Sequence, residues 1–209
     1  MFFKKTYLNS NKWMKNHFKD KYVKKAKKNK LYSRAWFKLS EIQKRDKILN
    51  LGMSIIDLGS SPGGWLQYIK KTIGENGLII ACDILPINSI KNVFFIKEDV
   101  CNNIILKKIL KYVEKNKVDV VLSDISPNIS GISEIDIPKF IYIIKNILNI
   151  CKIFLKKNGN FVIKIFQGEG LNFYIKKIKF MFKKIKIRKP KASRVNSKEF
   201  YIIAKGYKK

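Results

Sequence analysis

Histidine is almost missing from this chain: His17 is the only one in 209 residues. That argues against a Ser-His-Asp hydrolase and against a histidine-ligated metal site, since both need imidazole among the other functional groups. Cysteine is scarce and scattered. Cys82, Cys101 and Cys151 are odd in number, and no pair has metal-ligand spacing. They read as reduced, mostly buried thiols of a cytosolic protein. Arginine is scarce too: of 45 basic residues only four, Arg34, Arg45, Arg188 and Arg194, are arginine. Long apolar runs are lacking. The most apolar helical stretch, Ile137 to Leu155, is interrupted by lysines and asparagines, so no membrane span is expected. The amino terminus has no apolar signal core. It is basic and poor in acids, as a mitochondrial presequence is, but its want of arginine argues against one.

Positive charge is what the chain has in excess, a formal +30. Such a charge implies an anionic partner, with nucleic acid first. Lysine, isoleucine and asparagine are all abundant, which is the mark of an AT-rich genome, so roughly half of the excess is assigned to codon drift. The length suits one domain with a full core. Residues 1–30 carry eleven lysines and one acid, Asp20. With little periodicity, they read as a basic arm, partly ordered at best, that lies along phosphates. Residues 31–209 read as the folded domain.

Within that domain, Ser33 to Asn50 has helical spacing of Trp36, Leu39 and Ile42, and Gly52 fits its stop. Strand and helix patterns then alternate. Strands are expected at Ile55–Leu58, Leu78–Cys82, Val93–Ile96, Val118–Leu122, Phe161–Phe166, Ile185–Ile187 and Phe200–Ala204. Helices are expected at Gly64–Ile73, Asn103–Glu114, Ile137–Lys156 and Leu171–Phe182, with Pro127, Gly131 and Pro138 in a loop before the third of these. This alternation predicts an α/β, Rossmann-like fold: a mostly parallel seven-stranded sheet with one antiparallel edge hairpin and helices on both faces.

The first strand runs into Asp57-Leu58-Gly59-Ser60-Ser61-Pro62-Gly63-Gly64-Trp65. A glycine-rich turn between strand and helix lets the main chain touch a ligand at the strand's carboxyl end. The spacing is not the dinucleotide G-x-G-x-x-G, so a ligand without pyrophosphate is favoured and S-adenosylmethionine leads. The chain has only fifteen acids, and four of them, Asp57, Asp83, Asp99 and Asp124, close or closely follow strand runs. Asp83 is placed to accept from ribose hydroxyls and Asp99 to reach an adenine amino group. Trp65 either packs near the cofactor or fills the helix–sheet interface. Lys164 is a charge inside the apolar run Phe161 to Phe166, and a charge there needs a carboxylate or a task.

These residues, with Ser33-Arg34-Ala35-Trp36-Phe37-Lys38-Leu39, Ser123-Asp124-x-x-Pro127-Asn128-x-Ser130-Gly131, Val162 to Gly168 and Ser197-Lys198-Glu199-Phe200-Tyr201, resemble the FtsJ/RrmJ family of S-adenosylmethionine-dependent ribose 2′-O-methyltransferases. The resemblance runs from about Ser33 to Gly206 with its motifs in order, and it is nearest to the branch that modifies a uridine ribose in bacterial large-subunit (23S) ribosomal RNA. Ser60-Ser61 stands where small alanines are usual. The resemblance implies a catalytic tetrad of Lys38, Asp124, Lys164 and Glu199, with cofactor contacts at Gly63, Trp65, Asp83, Asp99 and Asp124. It implies no metal. Lys164 is the expected general base. It must act neutral, whereas a free lysine titrates near about 10.4. Partial burial and a second cation, Lys38, favour the neutral form, while Asp124 and Glu199 hold the ammonium groups and favour the charged one. Arg34, Arg188 and Arg194 are expected to line an RNA groove. The expected whole is a cytoplasmic monomer acting on ribosomal RNA, within the large subunit. The alternative is a non-catalytic assembly factor that binds RNA and cofactor. A nicotinamide oxidoreductase is disfavoured by the glycine spacing. A base methylase is disfavoured by Asp124-Ile125-Ser126-Pro127, which lacks the usual Pro-Pro-aromatic sequence.

Overall fold

The computed structural model describes residues 20–113, 117–127, 130–168, 171–194 and 196–209. The first nineteen residues of the expected arm, with His17, lie outside the described residues, as does Asn128 of the fourth-strand loop. Seven strands form one sheet: β1 Ser54–Leu58, β2 Leu78–Asp83, β3 Val93–Lys97, β4 Val118–Ser123, β5 Leu155–Phe166, β6 Phe182–Arg188 and β7 Glu199–Tyr207. Their order is β3-β2-β1-β4-β5-β7-β6. The first five are parallel. β7 returns between β5 and β6 and is antiparallel to both, so the expected edge hairpin brings a second antiparallel pairing with it. β6 is left as an open edge. Among the described residues no helix is long and apolar enough to cross a membrane.

Side chains alternate across each strand, and the two faces bury different helices. One face sets Ile55, Ile79, Val120, Val162, Tyr201 and Ile203 against α2 (Ala35–Asp46) and α3 (Gly64–Ile73). The other sets Ile56, Leu58, Ile80, Val121, Phe161 and Ile163 against α4 (Ile104–Val113), α5 (Ser133–Phe154) and α6 (Leu171–Met181). This is the doubly covered, mostly parallel sheet that near-continuous apolar strands require.

The departures from the sequence reading have local causes. α2 ends at Asp46 rather than Asn50, because the Gln43 side chain takes the Ile48 and Leu49 N–H groups and Lys47 turns left-handed at φ 46°. α5 begins at Ser133, so Pro138 lies inside the helix and not in the loop before it. The Asp136 carboxylate gathers the Ser130 and Gly131 N–H groups and pins the helix start upstream of the proline. β5 begins six residues early, at Leu155, which pairs with Val118; a register shift absorbs the extra residues around Asn158, whose φ is 64°. Residues 20–30, assigned to a loosely ordered arm, contain a helix, α1 Lys21–Lys28, capped by the Asp20 carboxylate. Its Ala26 packs with Phe37 of α2 and with Ala192.

Gly59 carries β1 into α3 at φ +77°. A Cβ there would lie 2.7 Å from Ile125 Cγ1 and 2.8 Å from the Ile125 nitrogen. At Gly52, φ is +74° but the space is open. Gly59→Ala is therefore expected to lower the unfolding free energy by about 2–4 kcal/mol and Gly52→Ala by about 1 kcal/mol. Denaturant titration of the two variants checks this, and equal losses would mean that the approach to Ile125 is unimportant.

Candidate active site

Alternation decides which side chains meet at the carboxyl ends of β4 and β5. Lys164 follows Val162, Tyr201 precedes Ile203, and Glu199 precedes Tyr201, so all three share the face that α2 covers. Lys164 is the direct register partner of Tyr201, and Phe166 of Glu199. Because β7 runs antiparallel, its first residue arrives where β5 ends. α2 crosses this corner and brings Lys38.

The four residues of the expected tetrad come together. Lys38 Nζ lies 2.5 Å from Glu199 Oε1. Lys164 Nζ lies 3.2 Å from Asp124 Oδ1 and donates to the Asp124 carbonyl at 2.6 Å. Lys38, Lys164 and Glu199 are 9 %, 6 % and 8 % exposed. Charges so buried persist only when paired and hydrogen-bonded. Tyr201 had no role in the sequence reading, although it ends the quoted motif and shares Glu199's face two residues on. Its hydroxyl donates to Asp124 Oδ1 at 2.8 Å, and Lys38 Nζ stands 5.7 Å over its ring.

Burial pushes the Asp124 carboxyl up, but the Lys164 and Lys38 cations and the Tyr201 hydroxyl outweigh it and hold the group below the usual carboxylate range. Burial, helped by the Asp124 and Glu199 charges, pushes the Tyr201 phenol well up, so it stays a donor.

A second group of acids lies along the same edge. Asp57 is fully buried, and among the described residues neither of its carboxylate oxygens has a hydrogen-bond partner. The Ser60 hydroxyl, three residues on, is also buried and without a partner among the described residues. Burial above all, then the Asp124 and Asp83 charges, raises the Asp57 carboxyl well above its ordinary value. Asp83 accepts from Ser61 N at 2.8 Å and Leu85 N at 2.9 Å, and so ties down the glycine-rich turn. Each of its oxygens keeps a lone pair. Asp99 is exposed, with one oxygen on Cys101 N. Gly63 caps α3 at φ +107°, under the Tyr32 ring. Trp65 is 2 % exposed, and its indole N–H is spent on the Ala35 carbonyl. Its ring fills the helix–sheet interface, the second of the two expected uses, which leaves only its main chain to reach a ligand. Unpartnered acid and hydroxyl beside a bare helix N-terminus fit a ligand that carries both positive charge and a carboxylate.

Two of the three arginines are held by carboxylates of the protein itself. The Arg34 guanidinium is held by the Asp20 carboxylate and the Ala192 carbonyl. Arg188 forks onto Asp46, with both contacts at 2.9 Å. Scarce carboxylates claim them first. Arg194 Nε lies 3.9 Å from Asp20 Oδ2.

A family model described as FtsJ-like methyltransferase matches residues 31–207. Among solved structures, a protein described as a ribosomal RNA methyltransferase from Plasmodium falciparum is 25 % identical, with a TM-score of 0.75 over 84 % of this chain and 98 % of that one. Fibrillarin of Aeropyrum pernix, solved with natively bound S-adenosyl-L-methionine, is 17 % identical, with a TM-score of 0.53 over 75 % of this chain and 68 % of that one. Fibrillarin from a complex with Nop5p is 19 % identical, with a TM-score of 0.54 and 82 % of each chain covered. The two fibrillarins share the fold.

The Asp57 and Asp124 carboxyls have opposite linkage to pH. Asp57, raised on folding, weighs against the native state above the unfolded value of about 3.9 and is relieved as pH falls toward it. Asp124, lowered on folding, contributes stability that is present above that value and is lost only as pH falls further. Asp57→Asn is expected to raise the stability of the ligand-free protein by about 2 kcal/mol at about pH 7.5, with the gain gone near about pH 4. Asp124→Asn is expected to lower it by about 3 kcal/mol at both. Denaturant titrations at the two pH values check the pair, and a gain for Asp57→Asn that ignores pH would contradict it.

Proposed function

The chain belongs to the FtsJ-like methyltransferase family, with S-adenosylmethionine as its cofactor, and from that premise we propose that it methylates the 2′-hydroxyl of a uridine ribose in large-subunit (23S) ribosomal RNA. The observation that carries the proposal is the pairing of Lys38 with Glu199 and of Lys164 with Asp124 in one buried cluster at the ligand-bearing end of the sheet. The +30 charge and the likeness to a Plasmodium ribosomal RNA methyltransferase support RNA as the substrate.

When bound, the cofactor supplies an electrophilic methyl group. The task left to the protein is to align a ribose hydroxyl and remove its proton. In this reading Lys164 Nζ takes that proton. Asp124 holds Nζ in place through a carboxylate oxygen and its own carbonyl, with Tyr201 steadying the carboxylate. Lys38, fixed by Glu199, keeps a second cation near the Asp124 carboxylate. Asp83 and Asp99 would accept from the cofactor's ribose and adenine. The Gly63–Trp65 backbone and the Asp57 carboxyl would hold its amino-acid end.

The reading includes action as a cytoplasmic monomer on the large subunit. Incubation with labelled S-adenosylmethionine and unmodified ribosomal particles, followed by mapping of the methylated ribose, tests the substrate. Lys164→Ala is expected to cut methyl transfer by about a thousandfold or more while cofactor affinity stays within about twofold. Asp99→Ala is expected to weaken cofactor binding about tenfold. Isothermal titration and single-turnover assays separate the two. Normal turnover in the Lys164 variant would remove it as base, and a parent that binds RNA and cofactor without transfer would favour the assembly factor.

A further inference from the structure

Arg34, the N-cap residue of α2, and Lys38 and Glu41 within it stand at i, i+4 and i+7 and so share one side of the helix. Arg34 and Glu41 reach the segment that joins β6 to β7, and Lys38 reaches the first residue of β7. Glu41 accepts the Lys191 N–H at 2.7 Å and the Ala192 N–H at 3.0 Å. Arg34 donates to the Ala192 carbonyl. Lys38 meets Glu199, seven residues further along. One peptide turn is thus gripped from both its donor and acceptor sides, and Ala192 between the grips is fully buried against Ala26 and Phe37.

Arg34 in turn is anchored from behind. Asp20, the one acid among the first 30 residues, pairs with the Arg34 guanidinium. The same carboxylate caps α1 through the Tyr22 and Val23 N–H groups and has Arg194 Nε at 3.9 Å. An arginine held at one end only would sample many rotamers, whereas a fork fixed at both ends keeps its reach to Ala192.

We propose that Asp20 is a positioning residue for methyl transfer: by fixing Arg34 it lets α2 hold the Pro190–Ser193 turn and so delivers Glu199 to Lys38. This rests on the function proposed above. It gives the segment before the family match a part in the chemistry, although Asp20 touches neither substrate nor cofactor.

Asp20→Asn is the informative variant, because asparagine still caps a helix but carries no charge. It is expected to lower kcat about tenfold with the cofactor KM unchanged, since small misplacements of a catalytic group are costly in rate. The same loss is expected to disappear in a Glu199→Gln background, because two residues that act through one contact are not additive. Amide hydrogen exchange across residues 189–198 is expected to quicken. Arg34→Lys, which keeps the charge but not the fork, is expected to reproduce all three effects. An undiminished kcat, or an equal loss with and without Glu199, would overturn the proposal. Should the parent show no ribose methylation, the function is wrong, and the exchange readout alone still decides the coupling: unchanged exchange in Asp20→Asn and Arg34→Lys sinks it.

Discussion

The molecule is arranged around a carboxylate that is mostly withdrawn from water. Asp124 sits at the end of a central strand, where burial works against its charge. It stays ionised because two ammonium groups and a phenol are brought to it. Each ammonium group needs an anion of its own, and Glu199 supplies the second. No two of these residues are neighbours in the chain. One follows β4, one lies in β5, two lie in β7, and one rides on a helix from before the first strand. The strand order β4-β5-β7, with β7 reversed, is the arrangement that lets all of them meet.

Asp57 shows the opposite solution a few ångströms of sheet away. It lies on β1 beside β4, and among the described residues its oxygens have no hydrogen-bond partner. Compensated and uncompensated carboxyls along one edge divide it into two regions. The first is a closed cluster suited to handling a proton. The second is an open demand for a cationic ligand. S-adenosylmethionine carries charge of the required sign, so under the proposed reading its binding would relieve that demand.

Much of this was legible before the coordinates. The alternation of apolar runs gave every strand and the sheet's character, because buried parallel strands must be apolar throughout. That Lys38, Asp124, Lys164 and Glu199 would meet was legible through ordered motifs, not through charge, since lysine is too common in this chain to mark Lys38 or Lys164. What was hidden depends on partners distant in sequence. Tyr201 looks like an ordinary strand aromatic until Lys164 is seen opposite it. Arg34 and Arg188 looked available because nothing local indicates that Asp20 and Asp46 reach them. α1 was missed because its apolar side is little more than Tyr22 and Ala26, too narrow to show against so many lysines. Helix ends moved where a side chain, Gln43 or Asp136, captured backbone donors, and the start of β5 moved with a register shift.

The position of β6 has one more consequence. It is an outermost strand, so one row of its backbone groups faces away from the sheet and could template a strand from another molecule. Its sequence, FKKIKIR, sets a cation at four of seven positions. Two copies approaching through these strands would meet charge of like sign on both sides of the would-be seam. Drift toward lysine is therefore harmless there and even protective: it guards a vulnerable margin against fibrous self-association, while the same drift at Asp20 or Asp46 would dismantle the interior.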